Sequence, residues 1–351
     1  MTTTPLASRL EGKTIDDKWE VMRKRIKTED DHSGAFSSCY EVKNIENGEV
    51  GFLKAINYAY AFKATGHGTS STVFLQELTQ NYNYEKDLLE FCRDNKMSRI
   101  VSAIAHGEYR DSAEMFPVPY LVFETATGSL KNVKRQKQKQ IDLAWKLGVI
   151  HGFLVGLSQL HQEKIVHQDI KPSNILIFGH NVSKLGDLGN ATKFDNKSPM
   201  WDNDGHCGDF SYAHIELLYR YFSPDWNTIR LGADLFMAGG IISYMITDSN
   251  FLSLLAANIP DIYKPTNFGG TFEDVKPHLM QAYNKTIAEI KDRIDEPIRK
   301  DIIEIIAQFT HPVPELRGIP KGFNNSLPQY SLWRCISIID RLAKKVEMGK
   351  I

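Results

Sequence analysis

The sequence predicts an α+β chain in two lobes, β-rich at the N-terminus and α-rich after it, and three observations carry that expectation. Asn47-Gly48 lies between two β-rich runs in residues 39–56, and this dipeptide is the strongest short hairpin signal because the matching turn needs positive φ. Leu143, Leu147, Ile150, Leu154, Leu157 and Leu160 recur every three or four positions, which lays one apolar stripe along a helix. Residues 233–246, ADLFMAGGIISYMI, are apolar nearly all round, so they read as a short helix buried at the centre of its domain.

The elements follow in order. After the hairpin, ATGHGTSST at 64–72 is rich in Gly, Ser and Thr and reads as a flexible connection. A helix is expected from about 74 to 94, then strands around 99–107 and 118–124. ETATG at 124–128 marks the change from strand to helix, and further helices are expected at about 272–292, 297–309 and 331–347. Lys131, Lys134, Arg135, Lys137 and Lys139 form a basic run that reads as a solvated surface, with docking of an acidic partner as the alternative.

Composition narrows the setting and leaves the chemistry open. The 351 residues carry 42 basic and 43 acidic side chains, a formal net charge of −1, so no nucleic-acid or membrane partner is expected from long-range attraction. Cys39, Cys92, Cys207 and Cys335 are too widely spaced for a metal clip or a disulfide framework, which points to a reducing, cytoplasmic setting. MTTTPLASRLEGK lacks the apolar core of a secretion signal, and no uninterrupted apolar run reaches spanning length, so no membrane insertion is expected.

The chemistry sits in 165–191, IVHQDIKPSNILIFGHNVSKLGDLGNA. Asp169, Lys171, Asn174 and Asp187 fall in a loop, hairpin, loop arrangement, with ILIF and SKLG as the two short strands. Phosphoryl transfer asks a protein mainly for positioning and charge neutralisation. Asp169 suits the base that takes or orients a hydroxyl proton, and Lys171 suits the group that neutralises the transferring phosphoryl. Asn174 and Asp187 offer the oxygen ligands that Mg²⁺ prefers.

At this point the sequence resembles the protein kinase family. H-Q-D-I-K-P-S-N-I-L is similar to its catalytic loop, and D-L-G at 187–189 stands where D-F-G is usual. GAFSSCYEVKNIENGEVGFLK resembles the Gly-rich loop and the strands after it, which implies Gly34 as a loop glycine and Lys54 as the lysine for the ATP phosphates. Glu85 is the implied partner of Lys54, with Glu77 as the rival. YLVFETATGSL resembles the hinge, with Phe123 as gatekeeper and the backbone of Glu124 and Ala126 for adenine. GDFSYAHIELL, GADLFMAGG and PELRG resemble later family segments. They imply Asp234 as a buried prop of the catalytic loop and a structural ion pair of Glu216 with Arg317. The resemblance runs over about 18–345 as one domain, with an N-lobe of about 18–123, a hinge of about 124–128 and a C-lobe of about 129–345. Residues 1–17 are then an N-terminal extension.

Several positions depart from the family pattern. His32 and Ser37 replace two of the loop glycines, and Cys39 and Phe52 replace smaller or aliphatic residues of the adenine roof. Gln168 replaces the arginine that usually reads an activation-segment phosphate, so activity independent of such phosphorylation is expected. Asp209 stands for a threonine, and His214 and Ile215 for alanine and proline. The resemblance implies a Ser/Thr protein kinase using ATP and Mg²⁺ on a protein substrate, with Thr192 or Ser198 as acceptors for autophosphorylation. A pseudokinase scaffold and a small-molecule kinase of the aminoglycoside or choline type are the alternatives.

Overall fold

The structure is a computed structural model that describes residues 4–25, 37–58, 70–112, 114, 116–136, 141–198, 202, 208–319 and 327–351. Two units divide the chain. The first takes Met1–Thr127, Asp187–Gly189 and Ser198–Met200, and the second takes Gly128–Gly186, Asn190–Lys197 and Trp201–Ile351.

The first unit is built on an antiparallel sheet of β1 (Thr14–Ile15), β2 (Trp19–Lys24), β3 (Ser37–Asn44), β4 (Val50–Ile56), β5 (Ala103–Tyr109) and β6 (Val118–Glu124), ordered β1-β2-β3-β4-β6-β5. Asn47-Gly48 turns β3 into β4 as expected. Gly48 takes φ 75° and Asn47 Oδ1 accepts from Glu49 N at 2.9 Å, so the turn satisfies its own backbone. The register sets Cys39 opposite Lys54 and Glu41 opposite Phe52. Because side chains alternate along a strand, Leu53 and Ala55 enter a core with Trp19, Val21, Tyr40, Val42, Tyr120 and Val122, while Phe52 and Lys54 share the other face.

Leu6, Ala7, Leu10 and Ile15 belong to that same core. The segment expected as an N-terminal extension therefore covers one face of the sheet. It is tied down by the Tyr40 hydroxyl, which donates to Ala7 O at 2.8 Å, and by the Tyr120 hydroxyl, which donates to Asp16. Its four apolar residues follow neither a helical nor a strand period, so periodicity carried no sign of burial. Helix α1 (Ser71–Asp94) begins three residues before the expected start and buries Leu78, Tyr82, Leu88, Leu89 and Cys92.

The second unit opens with β7 (Gly128–Ser129) and α2 (Leu130–Gln136). In it, α3 (Leu143–Gln162) is capped by Asp142, whose Oδ1 accepts from Trp145 N at 2.7 Å. Short strands β8 (Ile165–Val166), β9 (Ile175–Phe178), β10 (Val182–Leu185) and β11 (Thr192–Lys193) follow, with β9 paired to β10 and β8 to β11. The helices after them are α4 (Ile215–Leu218), α5 (Gly232–Thr247), α6 (Phe251–Asn258), α7 (Phe272–Asp292), α8 (Glu296–Phe309) and α9 (Trp333–Glu347). The sequence reading did not anticipate α6. Helix α5 runs on from a π-helical turn at Asn227–Leu231 and is buried along nearly its whole length, as its composition predicts. Leu143–Gln162 and Asn227–Thr247 are long and apolar enough to cross a membrane by length and composition, yet 61% and 83% of their apolar windows are buried inside the protein.

Lys134 corrects the expectation of a solvated basic run. Its ammonium is buried against the Tyr244 ring at 3.7 Å, donates to Tyr244 O and pairs with Asp248 at 2.7 Å. Lys137 and Lys139 lie outside the described residues.

Candidate active site

In the first unit, the middle of β4 presents Lys54, and α1 presents Glu85 on the buried face it shares with Leu88 and Leu89. Lys54 Nζ donates to Glu85 Oε1 at 2.8 Å and Oε2 at 2.9 Å, and meets Asp187 Oδ1 at 3.3 Å. Burial alone would lower the Lys54 ammonium, but the Glu85 and Asp187 carboxylates overrule it and hold it above the usual lysine range. Glu85 is thus the partner that Lys54 takes, and the rival Glu77 is not. Asp187 sits at φ 60°, a left-handed conformation that aspartate tolerates better than most residues. Leu188 beside it is buried, which is the environment expected for an apolar residue at that place.

The second unit holds the loop after β8. Asp169 is buried, and its Oδ2 accepts from Asn174 Nδ2 at 3.0 Å and from Asn190 Nδ2 at 3.2 Å, with Lys171 Nζ at 3.0 Å. Asn174 Nδ2 also donates to Asp169 O at 2.9 Å, which closes the loop on itself. Lys171 reaches Asp209 Oδ2 at 3.9 Å as well, so one ammonium lies within range of two carboxylates. Gly208 passes so close to Asp169 that a Cβ there would fall 2.2 Å from its carboxyl carbon, which no other residue type permits.

Asp234 carries this loop from inside α5. Its Oδ1 accepts from Gln168 N at 2.9 Å, and its Oδ2 from His167 N at 2.8 Å and His161 Nε2 at 2.9 Å. A carboxylate only accepts, so the His161 proton is on Nε2. His167 Nε2 meets Gly186 O at 3.0 Å while its Nδ1 accepts from Asp169 N at 3.3 Å, a neutral ring bracing the loop from below. Gln168 itself takes φ 62°, and two hydrogen bonds to Asp234 flank the residue's strained turn.

Glu216 and Arg317 form the expected anchor. Arg317, wholly buried, gives Nη1 to Glu216 Oε1 and Nη2 to Glu216 Oε2, each at 2.8 Å, and further bonds to Gly232 O and His311 O. Burial would raise the Glu216 carboxyl, but the Arg317 charge outweighs it and holds the group below the usual carboxylate range. His214, beside this pair, is held below the usual imidazole range by burial.

The remaining site expectations fall out unevenly. Gly34 and His32 lie outside the described residues. Glu124 ends β6 and its N–H is committed to Ser102 O at 3.2 Å, which corrects the expectation that this donor serves adenine. Ala126 is half-buried. The Phe52 ring lies on the Lys54 face, 6.4 Å from the Phe123 ring and 5.7 Å from the Arg25 guanidinium carbon. Thr192 and Ser198 are both buried, which corrects the expectation that they are presented as phosphate acceptors. Sequence reasoning missed Asn190, His161, Arg230 and Asp202. Asn190 alone left a trace, three residues beyond Asp187 in D-L-G-N.

A lysine clamped by a glutamate in a β-rich unit, and an acidic loop hung from a buried helix aspartate in a helical one, define a phosphotransferase architecture. A family model described as protein kinase domain matches residues 32–317, and the chain belongs to the protein kinase family. It is similar to the serine/threonine-protein kinase chk-1 of Caenorhabditis elegans, 26% identical over 216 residues that cover 61% of this chain and 38% of that protein. It is also similar to serine/threonine-protein kinase atg1 of Dictyostelium discoideum, 25% identical over 65% of this chain and 31% of that protein. Serine/threonine-protein kinase SSN3 of Candida glabrata is 31% identical over 36% of this chain and 22% of its own length. The chain thus spans less than two fifths of the length of each of these relatives.

Proposed function

We propose that this chain is a serine/threonine protein kinase that moves the γ-phosphate of ATP to a hydroxyl of a protein substrate. The observation that carries the reading is the complete polar set: Lys54, Glu85 and Asp187 gathered in one unit, and Asp169, Lys171 and Asn174 gathered in the other. A polar cluster buried for no purpose is costly, and each member here has the chemistry that phosphoryl transfer asks for.

Asp169 takes or orients the proton of the acceptor hydroxyl, which sharpens the oxygen that attacks phosphorus. Asn174 and Asn190 fix the carboxylate by bonds to Oδ2, so its direction is set before substrate arrives. Lys171, beside it, offsets charge on the transferring group. Lys54, kept charged and aimed by Glu85, suits the α- and β-phosphates. The donor chemistry fits magnesium: Asn174 spends its amide hydrogens on Asp169, which leaves its side-chain carbonyl as an oxygen donor, and Asp187 offers a carboxylate. Such an ion would neutralise phosphate charge. The wide spacing of the four cysteines along the sequence is in keeping with a reducing, cytoplasmic setting.

Radiolabelled γ-phosphate transfer from ATP–Mg²⁺ to a generic Ser/Thr protein tests the reading, with Asp169→Ala as control. Label in the wild type and none in the variant supports it. Silence from both, with free sugars and amines also unlabelled, favours the pseudokinase, for which the Phe52–Phe123 contact on the Lys54 face speaks.

A further inference from the structure

We infer that Asp202 does permanently what a phosphate on the activation segment does elsewhere, and that Arg230 is the cation that reads it. The inference rests on the kinase reading above and adds to it the group that holds the segment.

The arginine expected beside the catalytic aspartate is Gln168, which carries no charge. In its place Arg230 reaches in from the π-helical turn ahead of α5. Its Nη1 donates to Gln168 Oε1 at 2.6 Å, and its Nη2 lies 3.5 Å from Asp202 Oδ1. Gln168 passes the contact on, since its Nε2 donates to Asn190 O at 2.7 Å, and Asn190 in turn donates to Asp169. Among the described residues Asp202 also meets Thr192 Oγ1 at 3.4 Å on β11 and Lys197 Nζ at 3.2 Å. The Arg230 and Asp202 side chains are only 5% and 9% exposed, so salt screens the pair weakly.

One ion pair therefore ties together the catalytic loop, β11, the segment after it and the root of α5. A phosphate would bring close to two negative charges and depend on an enzyme to add it. A carboxylate brings one, and it is always present. Arg230 and Asp202 are positioning residues, acting on Asp169 through Gln168 and Asn190.

The test uses the full chain, freed of phosphate by a phosphatase and checked by mass spectrometry. The dephosphorylated wild type is expected to keep its phosphotransfer rate. Asp202→Asn is expected to lower kcat about tenfold with KM for ATP–Mg²⁺ nearly unchanged, the size of a typical positional coupling. Asp202→Glu should keep most of the activity. Arg230→Gln should match Asp202→Asn, and the double variant should be no worse than either, as members of one network behave. Loss of activity on dephosphorylation, full activity in Asp202→Asn, or a loss confined to KM would overturn the inference. If the wild type transfers no phosphate, the kinase reading has failed on its own, and hydrogen exchange over 164–172 and 190–198 decides the rest. Faster exchange in both peptides of Asp202→Asn, but not of Asp202→Glu, supports the tether; unchanged exchange refutes it.

Discussion

Replacing Asp234 by asparagine separates shape from charge at the point where the catalytic loop is hung. The side chain keeps its volume, but one acceptor oxygen becomes an NH₂ group. Asp234 is fully buried and accepts three hydrogen bonds, two from backbone N–H groups of His167 and Gln168 and one from His161. Whichever way the amide is turned, its NH₂ faces a backbone N–H. The less costly orientation gives up the single bond at Oδ1, from Gln168. That forfeits about 1.5–3 kcal/mol for a bond to a charged acceptor and a further 1–3 kcal/mol for a buried donor left unpaired. Removing a buried charge returns part of this, so the net cost is about 3 kcal/mol. For a domain of roughly 150–250 residues that lowers Tm by about 6–12 °C.

Function should fall further than stability. The orphaned N–H belongs to Gln168, whose φ of 62° depends on that bond, and Asp169 follows it in the chain. Relaxation of Gln168 shifts Asp169, the proposed base, and a displacement of about 1 Å at a reacting group costs on the order of a hundredfold in rate. Thermal unfolding by circular dichroism and steady-state phosphotransfer read the two effects. A variant whose Tm falls by less than about 2 °C and whose kcat stays within about twofold would refute the chain of reasoning, because three bonds to one buried carboxylate cannot all be idle.

Phe52→Ala should tighten binding of a fluorescent ATP analogue, since the ring lies on the Lys54 face against Phe123; an unchanged Kd would show that the ring leaves the nucleotide alone. Lys54→Met should cut phosphotransfer by about a hundredfold or more while the fold persists, as loss of one preorganised charge at a reacting centre does; retained activity would dismiss the Lys54–Glu85 pair from catalysis. Arg317→Met leaves the buried Glu216 carboxylate unpaired and should cost about 3–5 kcal/mol, with Glu216→Gln added to it restoring part, both read by urea unfolding. His214 and His311 are both held below the ordinary imidazole range by burial, so the unfolded chain takes up protons first as pH falls below about 6.5. Stability should therefore decline from neutral pH toward pH 5.5, and His214→Gln should flatten the slope; an identical slope in the variant would place the protons elsewhere.

What the sequence made legible was local. Asn47-Gly48 announced its hairpin because the turn's φ demands are written in two residues, and the leucine stripe of α3 announced its helix because period and burial coincide. Lys54, Asp169, Asn174 and Asp187 were legible through motif spacing, and Glu85 through the face it shares with Leu88 and Leu89. The cover of the sheet by Leu6, Leu10 and Ile15 was not, because irregular spacing gives no period to read. Lys134 looked solvated for the opposite reason: its charge was visible, but the Tyr244 ring and Asp248 that receive it lie more than a hundred residues away. Arg230 escaped notice since a π-helical turn has no composition of its own, and an arginine before a hydrophobic helix reads as an ordinary flank.

The supporting residues share a physical character. Asp234, which the sequence announced, and Arg230 and His161, which it did not, touch no substrate in the proposed chemistry, yet each fixes the backbone or side chain next to Asp169 from a helix or from the turn that leads into one. A loop that must hold a carboxylate in one direction cannot rely on its own hydrogen bonds, because a free loop of this length relaxes at little cost. Here the loop's strain at Gln168 is met by two bonds from α5, the Gln168 side chain by Arg230 at the root of the same helix, and the Asp169 carboxylate by Asn174 and Asn190. The position of Asp169 is thereby set by the most buried long helix of the second unit among the described residues, the element least able to move. It follows that variants along α5 should alter kcat even where they leave every substrate contact intact, whereas variants on the exposed face of α9 should not.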